Sequence, residues 1–126
     1  MNSADIYVTL GETIAKVDKN KLNAYGDDMK TEWISKVEGR IQTEVMELPP
    51  ERAVRYDWKR DKGRNLLVPH PYTDVYRYYL YAMVDFENRE IASYNNNMVM
   101  FNSEFEAYQA YYRRSQPQAA QIKNIW

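Results

Sequence analysis

The sequence predicts a mainly α fold: a bundle of about four helices, with a small β-hairpin or extended arm between the second and third. Three observations predict it. Apolar residues recur at spacings of three and four over 10–17, 33–48, 76–94 and 98–112, the period of a helix face. Strict alternation is confined to one stretch, Val54, Tyr56 and Trp58 between Arg55, Asp57 and Lys59, the period of a strand. The chain has 126 residues, 44% of them hydrophobic, enough for one domain with its own core and no covalent staple.

The first helix starts at Thr9-Leu10-Gly11-Glu12, the spacing of a capping box with Thr at the N-cap and Glu three residues on. Leu10, Ile14 and Val17 share its apolar face, and it ends near Lys19-Asn20. Residues 20–26 are turn-like. Asp27 or Asp28 caps the second helix, whose stripe is Trp33, Ile34, Val37, Ile41, Val45 and Leu48. Gly39 lies mid-helix, where Gly costs about 1 kcal/mol relative to Ala; close approach of another helix would justify it. Pro49-Pro50 stops the helix.

Residues 51–72 form the arm. Val54–Trp58 and Leu66-Leu67-Val68 flank the turn signal Asp61-Lys62-Gly63. Two strands alone are marginal in water, so the arm must lie on the helices or on a partner. Pro69-His70-Pro71 reads as an extended, stiff connection.

Thr73 or Asp74 caps the third helix, with Tyr72 as a hydrophobic staple. Positions 76, 80, 83, 87, 91 and 94, then 98, 101, 105, 108 and 112, keep one helical phase. That permits a single helix of about 40 residues, roughly 60 Å long. Asn is a better cap than helix former, so a hairpin turning at Asn95–Asn97 is preferred. Residues 1–114 are thus one helical domain. Residues 115–126 read as a flexible tail ending in Ile122, Ile125 and Trp126, an apolar cluster docked on its own domain or held by a neighbour.

Of eighteen aromatic residues twelve are Tyr, which pairs an apolar ring with a polar tip and suits half-buried positions and interfaces. At 100° per residue, Tyr78 and Tyr81 fall opposite Tyr76, Leu80 and Met83, and Tyr111 and Met100 opposite Phe101 and Phe105. A helix that is apolar on two sides is either central in its domain or shares one side with another subunit. Tyr78, Tyr81, Tyr111, Ile122, Ile125 and Trp126 are therefore the interface candidates.

Chemistry has little support. There is no Cys, which removes disulfides, thiol catalysis and thiolate metal sites, and fits a reducing compartment. The single His, His70, lies between two prolines and reads as an exposed loop residue. Asp85, Glu87 and Glu90 have no Glu-x-x-His partner of the kind a carboxylate-bridged metal bundle uses. No glycine-rich phosphate motif is present. The expectation is a non-enzyme with no catalytic residue, cofactor or metal. No apolar run reaches the ~18 residues of a membrane span, and MNSADIYVTL lacks the pattern of a signal peptide.

The net charge of -1 gives no global attraction to nucleic acid. Locally, ERAVRYDWKRDKGR (51–64) carries six basic and three acidic residues around Tyr56 and Trp58. A basic ribbon with interleaved aromatics can follow a phosphate backbone and stack bases. Arg55, Lys59, Arg60, Lys62 and Arg64 are the candidate DNA contacts, and a nucleic-acid-binding helical domain is the alternative function.

The stretch LLVPHPYTDVYRYYLYAMVDFENREIASYNNNMVMFNSEFEAYQAYYRR (66–114) resembles small proteins of tailed phages and prophages of Gram-positive bacteria. In that group an LLVP-x-PY-x-x-x-Y segment leads into a helix, followed by YNN, FN and a YYRR-like end. NAYGDDMKTEWISKVEGRIQTEVM (23–46) is similar to the group's N-terminal helix. The resemblance spans Thr9 to Arg114. It implies a virion structural protein, a head–tail connector or adaptor subunit assembled in the bacterial cytoplasm. Its partners would be copies of itself in a ring, and the portal or a neighbouring neck or tail protein, with packaged DNA within reach and no membrane involved.

Overall fold

The fold is built from the elements the periodicity marks, with two boundaries moved. It is seen in a computed structural model that describes residues 6–20 (Asn20 by its backbone only) and 25–116. Mainly α architecture with one small antiparallel sheet is what forms. Strand β1 (Tyr7–Thr9) runs directly into helix α1 (Leu10–Asn20). The capping box is present: the Glu12 N–H donates to Thr9 Oγ1 at 3.1 Å. Leu10, Ile14 and Val17 are all buried.

Helix α2 (Asp27–Arg40) continues as a wider π turn over Ile41–Val45. Neither Asp27 nor Asp28 is its cap; Gly26 is, without a side-chain bond. Its stripe is buried from Trp33 to Val45. Glu47, at φ 58°, turns the chain out of the helix before the prolines. Gly39 admits no helix: a Cβ there would meet only the Ala53 side chain, at an ordinary 3.8 Å.

The arm lies flat on α2. After a 3-10 turn at Pro50–Arg52, the Val54 N–H donates to Gln42 Oε1 at 2.7 Å and the Tyr56 N–H to Ser35 Oγ at 3.0 Å. These side-chain acceptors take the bonds that a partner strand would have taken, so Val54–Trp58 is extended but not a strand. Helix α3 (Trp58–Asp61) follows, capped by Asp57, which accepts from the Arg60 N–H. Strand β2 (Asn65–Pro69) pairs not with this segment but with β1, antiparallel, in the register Tyr7 with Pro69 and Thr9 with Asn65. The arm and the start of α1 lock together where Leu10 N–H donates to Arg64 O at 3.0 Å and Gly11 N–H to Lys62 O at 2.8 Å. A Cβ on Gly11 would lie 2.9 Å from that Lys62 oxygen, so this approach requires glycine. Pro69–Tyr72 is a reversal rather than an extended connection: Tyr72 N–H donates to Pro69 O at 2.9 Å, and the His70–Pro71 peptide is cis.

Helices α4 (Asp74–Glu87) and α5 (Ile91–Arg114) form a hairpin, but its turn is Asn88–Glu90. Arg89 sits at φ 59°, and the bonds Arg89 N–H to Phe86 O and Glu90 N–H to Asp85 O complete a Schellman closure. Asn95–Asn97 lies inside α5. The apolar phase across residues 76–94 therefore ends at the turn: Glu87 and Ile91 are exposed. Helix α4 is central and packs on α1, α2 and α5, which explains why it is apolar on two sides. Leu66, Val68, Val75, Tyr76, Leu80, Val84, Phe101, Phe105 and Tyr108 join the α1 and α2 stripes in one core.

Candidate functional site

The most ordered polar chemistry is a buried carboxylate that the sequence reading passed over. Glu38, on α2, has no exposure to solvent. Its Oε1 accepts from the Tyr76 hydroxyl at 2.6 Å, and its Oε2 from the Tyr56 hydroxyl at 2.8 Å and the Leu67 N–H at 2.9 Å. Tyr76 in turn accepts from the Val68 N–H at 2.9 Å. One side chain thus ties α2 to the arm, to β2 and to α4. Burial pushes the Glu38 carboxyl above its ordinary 4.5, against the three donors that favour its charge. Burial and the neighbouring Glu38 also push the Tyr56 and Tyr76 hydroxyls well up. The signal was available: Glu38 is four residues from Ile34 and three from Ile41, on the apolar stripe itself. The cluster is enclosed, so its role is to fix the arm rather than to act on a ligand.

Asp85 is also buried and accepts from Ser93 Oγ at 2.7 Å and Asn97 Nδ2 at 2.8 Å. It joins the end of α4 to the first turns of α5 and gives Asn97 a reason to be helical. Glu87 and Glu90 point into solvent. No group of three or more His, Asp or Glu side chains suited to a metal ion occurs among the described residues. On the opposite side, Lys30 is buried against Asp18 and Asp27, joining α2 to α1.

His70 is exposed, on the rim of a cleft of about 240 Å³ lined also by Glu12, Lys16, Thr73, Asp74 and Arg77. Thr73 Oγ1 approaches His70 Nδ1 at 3.2 Å. Among the described residues no carboxylate bonds the imidazole, so the pair lacks the orienting acid of a nucleophilic site. Arg77 pairs with Asp74 at 3.2 Å and lies over the Tyr78 ring at 4.7 Å.

The five arm cations are exposed, but two are engaged. Arg60 bonds Asp61 at 2.8 Å and holds that carboxyl below the usual range. Arg64 lies 3.8 Å from Asp61 and 5.6 Å from the Tyr56 ring centre. Tyr56 and Trp58 are half-buried against the core, so the arm presents charge without free stacking rings.

Tyr78, Tyr81 and Tyr111 are half-buried on the core; Tyr111 stacks on Tyr72 with centroids 5.2 Å apart. The larger exposed apolar surface lies elsewhere. Phe86 and Ile91, 58% and 61% exposed, flank the hairpin turn, and Val99 and Met100 are 66% and 42% exposed on α5. Opposite the buried line Phe101, Phe105 and Tyr108, α5 shows solvent Ala92, Asn96, Val99, Ser103, Ala107 and Ala110. Glu106 and Arg114 are exposed on the same arc, so this face is mixed in character, with Val99 its large apolar side chain. Ile122, Ile125 and Trp126 lie outside the described residues.

No helix of the described residues is long and apolar enough to cross a membrane. Comparison of the chain with family models, curated proteins and solved structures gives no match.

Proposed function

We propose that the protein is a virion structural subunit, a head–tail connector that assembles as a ring between portal and tail. The observation that carries this reading is the exposed apolar surface of the hairpin turn and α5, where Phe86, Ile91, Val99 and Met100 are 58%, 61%, 66% and 42% exposed. The core has no use for that face, and a ring subunit needs lateral surface beyond its core. The resemblance of residues 9–114 to phage neck proteins supports the same role, in a virion assembled in the bacterial cytoplasm. Partners are further copies of the chain and the portal or an adjoining neck or tail protein.

The test is molar mass by light scattering over a wide concentration range, together with incorporation into particles. A large closed assembly, or particles that fail without the protein, is the expected result. A strict monomer whose removal leaves particle assembly intact overturns the proposal.

A second reading is favoured by the exposed Arg55, Lys59, Arg60, Lys62 and Arg64: contact with a nucleic-acid backbone. Because Tyr56 and Trp58 are turned inward, such contact is with phosphates and is salt-sensitive. The variant with Arg55, Lys59 and Arg60 all changed to Ala should lose it. Absence of binding by the unaltered protein at low salt removes this reading.

A further inference from the structure

We infer that the cleft between α1 and the start of α4 binds a small zwitterion, a molecule that carries an amine and a carboxylate as a free amino acid does. The cleft measures about 240 Å³, below the roughly 300–1,000 Å³ of sites for drug-sized ligands, so its occupant is small. It forms where β1 runs into α1 and the turn after β2 runs into α4. The His70 N–H donates to Ile6 O at 2.7 Å, and Thr13 Oγ1 to Thr9 O at 2.9 Å. The backbone around the cleft is therefore tied down without a ligand.

The charges of the lining select the ligand class. Each wall carries one acid and one base a helical turn apart, Glu12 and Lys16 on α1, Asp74 and Arg77 on α4. These charges cancel, so a simple anion or cation is repelled by half of what surrounds it. A molecule bearing both charges is held at each end. His70, exposed at the rim, adds a group that is neutral or positive.

Two of these groups hold capacity that the fold does not use. The Glu12 carboxylate accepts no bond among the described residues; only the Glu12 N–H is engaged, by Thr9. Arg77 uses one nitrogen twice, Nη2 donating to the Tyr78 hydroxyl at 3.1 Å and pairing with Asp74 at 3.2 Å. Its buried Nε has no acceptor among the described residues. A buried donor without a partner is costly and rare in a folded protein. A ligand carboxylate supplies that partner, because Nε and Nη2 form the fork that takes both carboxylate oxygens once the guanidinium turns from Asp74 toward the cleft. The released Asp74 carboxylate and Glu12 then face the amine. Thr73 Oγ1 meets His70 Nδ1 at 3.2 Å, which leaves the second imidazole nitrogen available to the ligand carboxylate.

His70 is the only histidine of the chain, so its ring signals in a proton NMR titration report on the cleft alone. The probes are L-alanine and its two halves, propionate, which lacks the amine, and ethylamine, which lacks the carboxylate, at constant ionic strength. Alanine is expected to shift the His70 signals saturably, and each half to bind about tenfold more weakly or worse, the loss of one charge-assisted bond. Glu12→Gln, at an exposed position and still suited to the helix start, should weaken alanine about tenfold and leave propionate unchanged. Arg77→Gln should weaken both, with circular dichroism checking that each variant folds. The comparison of the three probes on the unaltered chain stands whatever the variants do. Alanine that shifts nothing up to tens of millimolar, or that binds no better than propionate and ethylamine, overturns the proposal. So does alanine binding that a folded Glu12→Gln leaves unchanged.

Discussion

Removing one oxygen from Tyr76 should cost far more than removing one from Tyr56, although both hydroxyls bond the same carboxylate. Tyr76 is fully buried and works in both directions. It donates to Glu38 Oε1 at 2.6 Å and accepts from the Val68 N–H at 2.9 Å. Tyr76→Phe loses a hydrogen bond to a carboxylate, worth about 1.5–3 kcal/mol, and strands a buried backbone N–H at about 1–3 kcal/mol. The sum is about 2.5–6 kcal/mol. Tyr56 is half-buried and makes one such bond, at 2.8 Å. Glu38 Oε2 keeps the Leu67 N–H at 2.9 Å when that hydroxyl is removed and no donor is stranded, so Tyr56→Phe should cost only about 1.5 kcal/mol. Urea unfolding with an unchanged m-value measures both. Hydrogen exchange should accelerate at the Leu67 and Val68 amides in Tyr76→Phe and much less in Tyr56→Phe. If the two variants lie within about 1 kcal/mol of each other, the cluster does not tie α4 to β2 as described.

The same cluster gives a pH dependence. Burial raises the Glu38 carboxyl above 4.5, so between that value and its native one the folded state holds more protons than the unfolded. Stability should fall as pH rises through that window and level off above it, and Glu38→Gln should remove the slope. The difference curve between the two proteins is the measurement, because Glu44 and Asp61, held low by Arg40 and Arg60, act with opposite sign in more acid solution. Gly11→Ala puts a Cβ 2.9 Å from Lys62 O and should cost about 1–3 kcal/mol. Gly26→Ala, with open space and φ -76°, meets no such clash; the N-cap preference for Gly over Ala offsets the entropy gain, so it should change stability by less than about 1 kcal/mol, and thermal melts compare the pair. Arg89→Gly relieves a left-handed residue at φ 59° and should stabilise by up to about 1 kcal/mol, read by the same melts.

The helices were legible because burial imposes its period on sequence. Leu10, Ile14 and Val17, and the run from Trp33 to Val45, were read as core and are core. The capping box was legible because Thr9 and Glu12 are local partners. What was missed depended on partners far along the chain. The strand pairing needed β1, which at three residues has no period to detect. The hairpin turn is made by Arg89 in a conformation that the sequence signals with Gly or Asn. Asn95–Asn97 carried that signal instead, while Asn97 was serving the buried Asp85. Glu38 had a legible position on the stripe, but its three donors come from residues 18, 29 and 38 positions away. The tyrosines at 78, 81 and 111 were read as facing either the domain's own core or another subunit; each is half-buried against the core.

Helix α4 is two-sided because it is central, so its aromatic content needs no partner. Helix α5 differs. Its buried side is complete with Phe101, Phe105 and Tyr108, and nothing in the fold constrains the residues opposite. Charge there would be free of folding cost, since substitutions at exposed positions change stability by no more than about 0.5 kcal/mol. A helix left to solvent alone would be expected to carry charge along that face, and over Ala92 to Ser103 this one carries Ala92, Asn96, Val99 and Ser103, with Glu106 and Arg114 only toward its C-terminal end. Lysine at Ser103 or Ala107 should therefore leave urea unfolding unchanged within about 0.5 kcal/mol while lowering the assembled fraction in light scattering. A loss of stability with no change in mass would mean that these positions serve the fold, and the case for a subunit contact on α5 would fall with it.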